Sequence, residues 1–320
     1  MLLTVPQLEQ LMATAALFGV HPSHAFTSVE TSPEYADRPR LNVLKKAGVS
    51  RVSIGIQSFQ DEELKAIKRR PRQNTIYQAL DDIRQMDFPY FNIDLIYGIK
   101  GQTVESFLYS LEEALRFQPN ELFIYPLYVR QGTGITEREP DDVCFRMYRA
   151  ACKLLQAKGF LQTSMRRFIH HPSTDAEVSC GDEVMLSCGS GGRSYLGDLH
   201  YATRYTVCQQ CIAREIDEYM ATTDFTVARN GFILSAKEQQ QRFIIKNLMY
   251  YMGIDKAEYT RRFGEPLDRT PLFRQLAEQY WIEETPERIR LTPEGLGYSD
   301  YIGQLFITPE IRQLMETYSY

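Results

Sequence analysis

Residues 51–59 read RVSIGIQSF. Val52, Ile54 and Ile56 alternate with Ser53, Gly55 and Gln57, a period of two that predicts a strand with one apolar face. Upstream, Gly48 stands where a C-cap belongs for a helix near Arg38 to Lys46. Downstream, Asn74 is placed to cap a helix whose Ile76, Ala79, Leu80, Ile83 and Met86 form one apolar stripe. Working outward, a helix from Pro6 to Phe18 and a strand from His24 to Val29 come before this unit. A strand from Tyr90 to Tyr97 follows, then a helix with Val104, Phe107, Leu108, Leu111 and Leu115 at helical spacing. A strand from Glu121 to Val129 and a helix from Asp141 to Lys158 close the series. Strands and helices in unbroken alternation predict parallel strands joined by crossover helices, either in a barrel or in a doubly wound open sheet.

Polar residues recur toward the ends of these strands: Glu30, Gln57, Asp94, Tyr125 and Tyr128. Burying such a group without a partner costs about 1 to 3 kcal/mol. In a parallel barrel they would converge on one mouth, where such folds place ligands.

Composition excludes several classes. Of 320 residues 43% are hydrophobic and 24% charged, far from the signature of disorder, and the chain is too long for a disulfide-stapled scaffold. Lys and Arg number 36 against 41 Asp and Glu, a net charge of −5 with no run of five or six like charges, so nucleic acid is not an expected partner. The opening MLLTVPQLEQLMATAALFG lacks a basic leader and carries Glu9, which favours a helix over an export signal. No uncharged apolar stretch is long enough to span a membrane. A cytoplasmic protein with no membrane partner is expected. The six cysteines (Cys144, Cys152, Cys180, Cys188, Cys208, Cys211) cluster mid-chain and read as reduced thiols or metal ligands.

The segments SVETSP (28–33), GVSRVSIGIQSF (48–59), NIDLIYG (92–98), QTVESF (102–107) and YPLYVRQGTGI (125–135) follow one another in the chain. They resemble successive blocks of the oxygen-independent coproporphyrinogen III oxidase family (HemN-like) within the radical S-adenosylmethionine enzymes. CGSGGRSY (188–195) resembles the small-residue block after that family's barrel, and RIRLTPEGLGYSDYIGQLF (288–306) its C-terminal helical domain. YPLYVRQGTG, SMRRF (164–168) and LHYATRYTV (199–207) mark a branch apart from the housekeeping oxidase. By this resemblance Glu30 contacts the methionyl part of S-adenosylmethionine, and Gln57, Arg69 and Asp94 line the nucleoside and its surroundings. Tyr128 falls where the family has a small residue and is left out of the site.

The resemblance further implies reductive cleavage of S-adenosylmethionine by a [4Fe–4S] cluster, giving a radical that takes hydrogen from an organic substrate, a porphyrinogen propionate in the oxidase. The cluster needs a Cys-x3-Cys-x2-Cys loop. That spacing is absent from this sequence, so no metal ligand and no catalytic residue is assigned, and enzymatic activity of this chain is left undecided. The family's GGTP block precedes a segment resembling LLTVPQLEQLM, at which this chain begins, so the first strand, the cluster loop and the second strand are expected to be missing. An unfinished barrel would leave unpaired edges and favour self-association through the open side. Cys208 and Cys211 form a Cys-x2-Cys pair; joined by Cys180 and Cys188 they could supply thiolates to a metal, but a thiol pair without function is the expectation. His170 and His171 read as solvated. Gly189-Ser190-Gly191-Gly192 fails as a dinucleotide loop, because Ser194 stands where a third glycine is required.

From Lys237 onward the pattern is helical, with RIRL as the wing of a winged-helix-like module. The whole reads as α/β: an incomplete radical S-adenosylmethionine-type parallel (β/α) barrel over 1–165, a connection over 166–236 and a mostly helical domain over 237–320. The expected partner is a small molecule, a tetrapyrrole by resemblance. The competing readings are a heme- or tetrapyrrole-binding protein of the same family and a non-catalytic remnant.

Overall fold

The computed structural model describes residues 2–21, 24–69, 72–130, 132–170, 184–204, 206–267 and 271–317. Cys180 and His171 lie outside the described residues. Two compact units result, one of Met1–Val129 with Ile135–Ala176 and one of Arg130–Gly134 with Glu177–Tyr320.

The first unit begins with α1 (Val5–Leu17), which Thr4 and Gln7 start with a reciprocal capping box. β1 (Ser28–Thr31) follows, then α2 (Arg38–Ala47), capped by Asp37 and ended by Gly48 at φ 85°. Next come β2 (Arg51–Gln57), α3 (Asp61–Ala66), α4 (Gln73–Met86), β3 (Tyr90–Tyr97), α5 (Val104–Leu115), β4 (Glu121–Pro126) and α6 (Asp141–Ala157). The short strands β5 (Leu161–Gln162) and β6 (Arg167–Ile169) complete one sheet in the order β1-β2-β3-β4-β6-β5. β1 to β4 are parallel, and β6 joins β4 antiparallel.

The two faces of this sheet differ in kind. Val52, Ile54, Ile56, Phe91, Ile93, Leu95, Leu122 and Ile124 are all buried in one core with Leu41, Leu44, Leu80, Ile83, Phe107 and Leu111 of the helices. Their register partners' neighbours, Glu30, Ser53, Asn92, Asp94 and Glu121, share the opposite face, since side chains alternate along each strand. Parallel strands buried on both sides normally read as continuous apolar runs. The alternation in β2 and β3 thus marks the second face as something other than core.

Several boundaries differ from the sequence reading. The first strand lies at Ser28–Thr31, four residues beyond the start expected from His24. Asn74 is not a cap: α4 starts at Gln73, whose amide instead donates to the Phe59 carbonyl and to Asp61. β2 stops at Gln57, two residues early, because Gln57 takes a left-handed φ of 74° and the ladder shifts register between Gly55 and Gln57.

In the second unit β7 (Arg193–Leu196), β8 (Leu199–Ala202) and β9 (Gly231–Ile233) form an antiparallel sheet, with α7 (Gln209–Met220) between β8 and β9 in the chain. α8 (Ala236–Leu248) opens with a Ser235–Glu238 capping box. β10 (Ile254–Asp255), α9 (Lys256–Phe263), α10 (Pro271–Glu278), β11 (Ile282–Glu284) and β12 (Arg288–Leu291) follow. β11 and β12 pair as the wing expected around RIRL. The chain ends with α11 (Pro293–Gly297), α12 (Ser299–Leu305) and α13 (Pro309–Thr317). Phe243, Leu248, Ile254, Phe273, Leu276, Ile289 and Ile302 make the core of this part. No helix among the described residues is long and apolar enough to cross a membrane.

Candidate functional site

The polar face of β1, β2 and β3 gathers the four residues singled out by resemblance. Glu30 on β1 is in register with Ser53, Ser53 with Asn92, and Gly55 with Asp94. Asn92 is fully buried, and its Nδ2 donates both to Ser53 Oγ and to Asp94 Oδ1, each at 2.7 Å. Ser53 Oγ lies 3.4 Å from Asp94 Oδ2. Burial raises the Asp94 carboxyl to about 6, and the charge of Glu30 pushes in the same direction, while the hydrogen bonds and Arg51 restrain the rise. Burial, with Asp94 and Glu30 adding to it, also raises the phenol of Tyr125 on β4, whose charge Arg166 and Arg51 favour.

Gln57 and Arg69 meet above Gly55. The guanidinium of Arg69 reaches the Gly55 carbonyl at 3.5 Å, and a Cβ added at Gly55 would stand 2.5 Å from the Gln57 amide nitrogen. Glycine leaves room there for two side chains to fold over the strand. The left-handed backbone of Gln57 is the local strain that aims its amide, a kind of cost retained at ligand sites. Arg69 follows Lys68, which is itself left-handed at φ 59°, so this guanidinium is turned toward the strand end instead of continuing a solvated basic helix.

Two groups of residues supporting this face escaped the sequence reading. Glu121 is buried on β4 and pairs with Arg51 at 2.7 Å and with Arg167 Nε at 2.8 Å, tying β2, β4 and β6 together below Asp94. Arg51 also lies over the Phe123 ring. The second is centred on Glu63 of α3, which accepts from Ser58 (2.6 Å), Gln102 (2.8 Å) and Ser106 (2.5 Å). Gln102 Oε1 in turn accepts from the Gly98 amide at 2.8 Å. This buried network joins the loops after β2 and β3 to the first turn of α5. The period-two pattern that placed Asp94 on the polar face also placed Ser53 and Asn92 there; the Glu63 network runs between loops and leaves no periodic trace.

The remaining candidates behave differently. Tyr128 is exposed, with the Arg166 guanidinium against its ring and hydroxyl. His170 is exposed and packs edge-on to Phe160. The amides of Gly189 and Gly191 donate to Tyr219 and Thr203, so this loop spends its N–H groups internally. Cys208 occupies the N-cap position of α7 without a side-chain cap hydrogen bond and interacts with Cys211. Among the described residues no cluster of three His, Cys, Asp or Glu side chains could hold a metal ion.

The acceptor-rich face suits a cationic, donor-bearing ligand. It offers Glu30, Asp94 and Asn92 Oδ1, a buried acceptor without a hydrogen-bond partner. An ammonium or ribose hydroxyls would satisfy these groups, and Arg69 can fork onto a carboxylate. The residues therefore fit S-adenosylmethionine, which combines all of these. They do not fit an iron–sulfur cluster: the sequence has no Cys-x3-Cys-x2-Cys spacing, and among the described residues no thiolate cluster stands beside this face.

The radical SAM superfamily model matches residues 4–114 and the HemN C-terminal domain model residues 234–297. Over 295 residues the chain is 26% identical to the heme chaperone HemW of Bacillus subtilis, covering 87% of this chain and 76% of that protein. It is 25% identical to the oxygen-independent coproporphyrinogen III oxidase of Thermostichus vulcanus, covering 84% of this chain and 89% of the oxidase. The fold matches the solved coproporphyrinogen III oxidase HemN of Escherichia coli with a TM-score of 0.76 at 21% identity, covering 96% of this chain and 75% of that one.

Proposed function

Because the chain belongs to the radical S-adenosylmethionine superfamily, in the HemN-like group that carries the HemN C-terminal domain, we propose that it binds S-adenosylmethionine on the polar face of β1–β3 and handles a tetrapyrrole. The single observation that carries the first half is the convergence of Glu30, Asp94, Gln57 and Arg69 on one sheet face, with Asn92 Oδ1 left unsatisfied beside them. Glu30 takes the ammonium of the methionyl part. Asp94 and Gln57 accept from the nucleoside side, and Arg69 holds the methionyl carboxylate. Bound S-adenosylmethionine supplies a sulfonium whose carbon–sulfur bonds are activated for cleavage.

The tetrapyrrole half rests on relatives of two kinds, a heme chaperone and a coproporphyrinogen oxidase, which share that ligand class.

Isothermal titration with S-adenosylmethionine tests the site. Glu30→Gln and Asp94→Asn are expected each to weaken binding about tenfold, equivalent to about 1.4 kcal/mol. No heat of binding to the native chain, or unchanged affinity in both variants, overturns the assignment. Heme titration, read by the absorbance of the bound porphyrin, tests the second half.

A further inference from the structure

In the second unit Gly197 at the β7–β8 turn, Leu234 after β9, Gln239, Arg242 and Phe243 of α8, and Arg262 of α9 line a small pocket that opens to solvent. Two arginines line it and no carboxylate does. Several cations close by in the chain are instead neutralised: Arg261 pairs with Glu258, Arg288 with Asp255 at 3.2 Å and Lys256 with Glu284 at 2.6 Å. Neither Arg242 nor Arg262 has an ion pair among the described residues.

Their ring contacts explain how they are held. The Arg242 guanidinium lies 4.1 Å from the centre of the Tyr195 ring, and Tyr195 stacks on His200 at 4.3 Å. Arg262 lies over Phe243 and Phe263, at 5.4 and 5.7 Å. Aromatic faces fix the planes of both guanidiniums while leaving their N–H edges free to donate. One of these edges is costly as it stands: Arg242 Nη2 is buried and donates to nothing. A buried guanidinium nitrogen without an acceptor is the kind of group a ligand oxygen compensates. The Gln239 amide, tied to the Leu234 carbonyl at 3.1 Å, fixes the wall between β9 and α8.

We propose that this pocket is an oxyanion site and that its ligand is the carboxylate arm of an organic acid, held by Arg242 and Arg262 together. A planar carboxylate matches the fork of a guanidinium, and two preset forks select it over a neutral group. In the tetrapyrrole reading, on which this last step rests, the carboxylate is a propionate arm of the macrocycle. Phosphate shares the charge and the acceptor chemistry, and the test separates the two.

The full chain is monitored by thermal unfolding with glutarate and, separately, with inorganic phosphate. Arg242→Gln, Arg262→Gln and Arg242→Lys are compared, each first shown to keep its circular dichroism spectrum. Glutarate is expected to raise the native melting temperature by about 2 °C or more at saturation. The shift should vanish in both Gln variants and shrink in Arg242→Lys, which keeps the charge but loses the fork. A response to phosphate alone overturns the carboxylate assignment. No response to either, or equal shifts in native and Gln variants, overturns the site. Coproporphyrin III and its tetramethyl ester are then titrated into the same proteins. Tighter binding of the free acid, lost in Arg242→Gln, supports the propionate arm. Equal binding of acid and ester overturns that arm while leaving the tetrapyrrole reading standing. Binding of neither porphyrin overturns the tetrapyrrole reading, and with it the propionate arm, while the glutarate result alone then decides the site.

Discussion

Asp94 on β3 and Glu30 on β1 are two carboxylates on one sheet face, close enough across β2 for the charge of Glu30 to help raise the Asp94 carboxyl to about 6. The groups facing Asp94 are Glu30, Arg51, Tyr125, Asn92 and Ser53. A folded-state value above the ordinary 3.8 means that the unfolded chain loses this proton first. Ionised Asp94 therefore opposes folding. Its contribution is absent below about pH 4, grows as the pH rises to about 6, and levels off at roughly 3 kcal/mol. Asp94→Asn should abolish this slope and raise stability at neutral pH, as measured by urea unfolding at a series of pH values. An unchanged pH profile in the variant would show that Asp94 is solvated.

The same proton links to ligand binding. Nucleoside hydroxyls donating to Asp94, with the ammonium on Glu30 relieving the charge of Glu30, favour the ionised Asp94 carboxyl, so affinity for S-adenosylmethionine should rise with pH through about 6 and binding should release a proton at lower pH. Titrations in buffers of different ionisation enthalpy count that proton. In Asp94→Asn both the pH dependence and the released proton should disappear.

Gly55 is where the site is most sensitive to bulk. A Cβ there stands 2.5 Å from Gln57 Nε2 and 3.8 Å from Arg69 Nη1, both ends of flexible side chains. Gly55→Ala should consequently shift Gln57 and Arg69 instead of unfolding the sheet. The expected result is a loss of S-adenosylmethionine affinity of about tenfold with a stability change within roughly 1 kcal/mol. Equal losses in stability and binding would mean that the strand, not the side chains above it, had moved.

The Glu63 network predicts the opposite pattern. Glu63→Ala strands three donors, from Ser58, Gln102 and Ser106, in a buried setting. Breaking such a cluster costs about 3 kcal/mol. The urea midpoint should fall accordingly, whereas Glu112→Ala on the exposed side of α5 should stay within about 0.5 kcal/mol. If Gln102→Ala in the Glu63→Ala background costs as much as it does alone, the two residues are not coupled.

How far these features were legible depends on whether they repeat. The β2 alternation and the stripes of α4 and α5 predicted the parallel strands and their helical cover because a helix or strand face is written once per period. Glu30, Gln57, Arg69 and Asp94 are candidates by resemblance, and alternation along β3 independently puts Asp94 on the same face as Asn92. The register shift at Gln57 was invisible: a bulge adds a residue to one strand and changes the geometry without changing the residue types around it. The misplaced cap at Asn74 has a similar source. Gln73 is held by the Phe59 carbonyl and Asp61, so a tertiary contact starts α4 one residue before the best capping side chain. Glu63, Glu121 and the Arg242–Arg262 pocket bring together residues distant in sequence, which no local pattern records.

The cysteines offer a final prediction, set by where each thiol sits. Cys208 stands at the N-terminus of α7, and hydrogen bonds from the Cys211 amide and thiol lower it below the ordinary thiol range, while Cys211 is raised by donating to it. Cys152 is pushed to about 11 by burial, and burial raises Cys144 too, against the pull of Arg138. The nucleophile is the thiolate, so a short treatment with iodoacetamide near neutral pH should alkylate Cys208 ahead of Cys211 and well ahead of Cys144 and Cys152, as read by peptide mass spectrometry. Cys211→Ala removes the thiol donor but keeps the backbone amide, so it should slow labelling of Cys208 without stopping it. Equal labelling rates at Cys208 and Cys152 would remove the helix terminus as the cause of the difference.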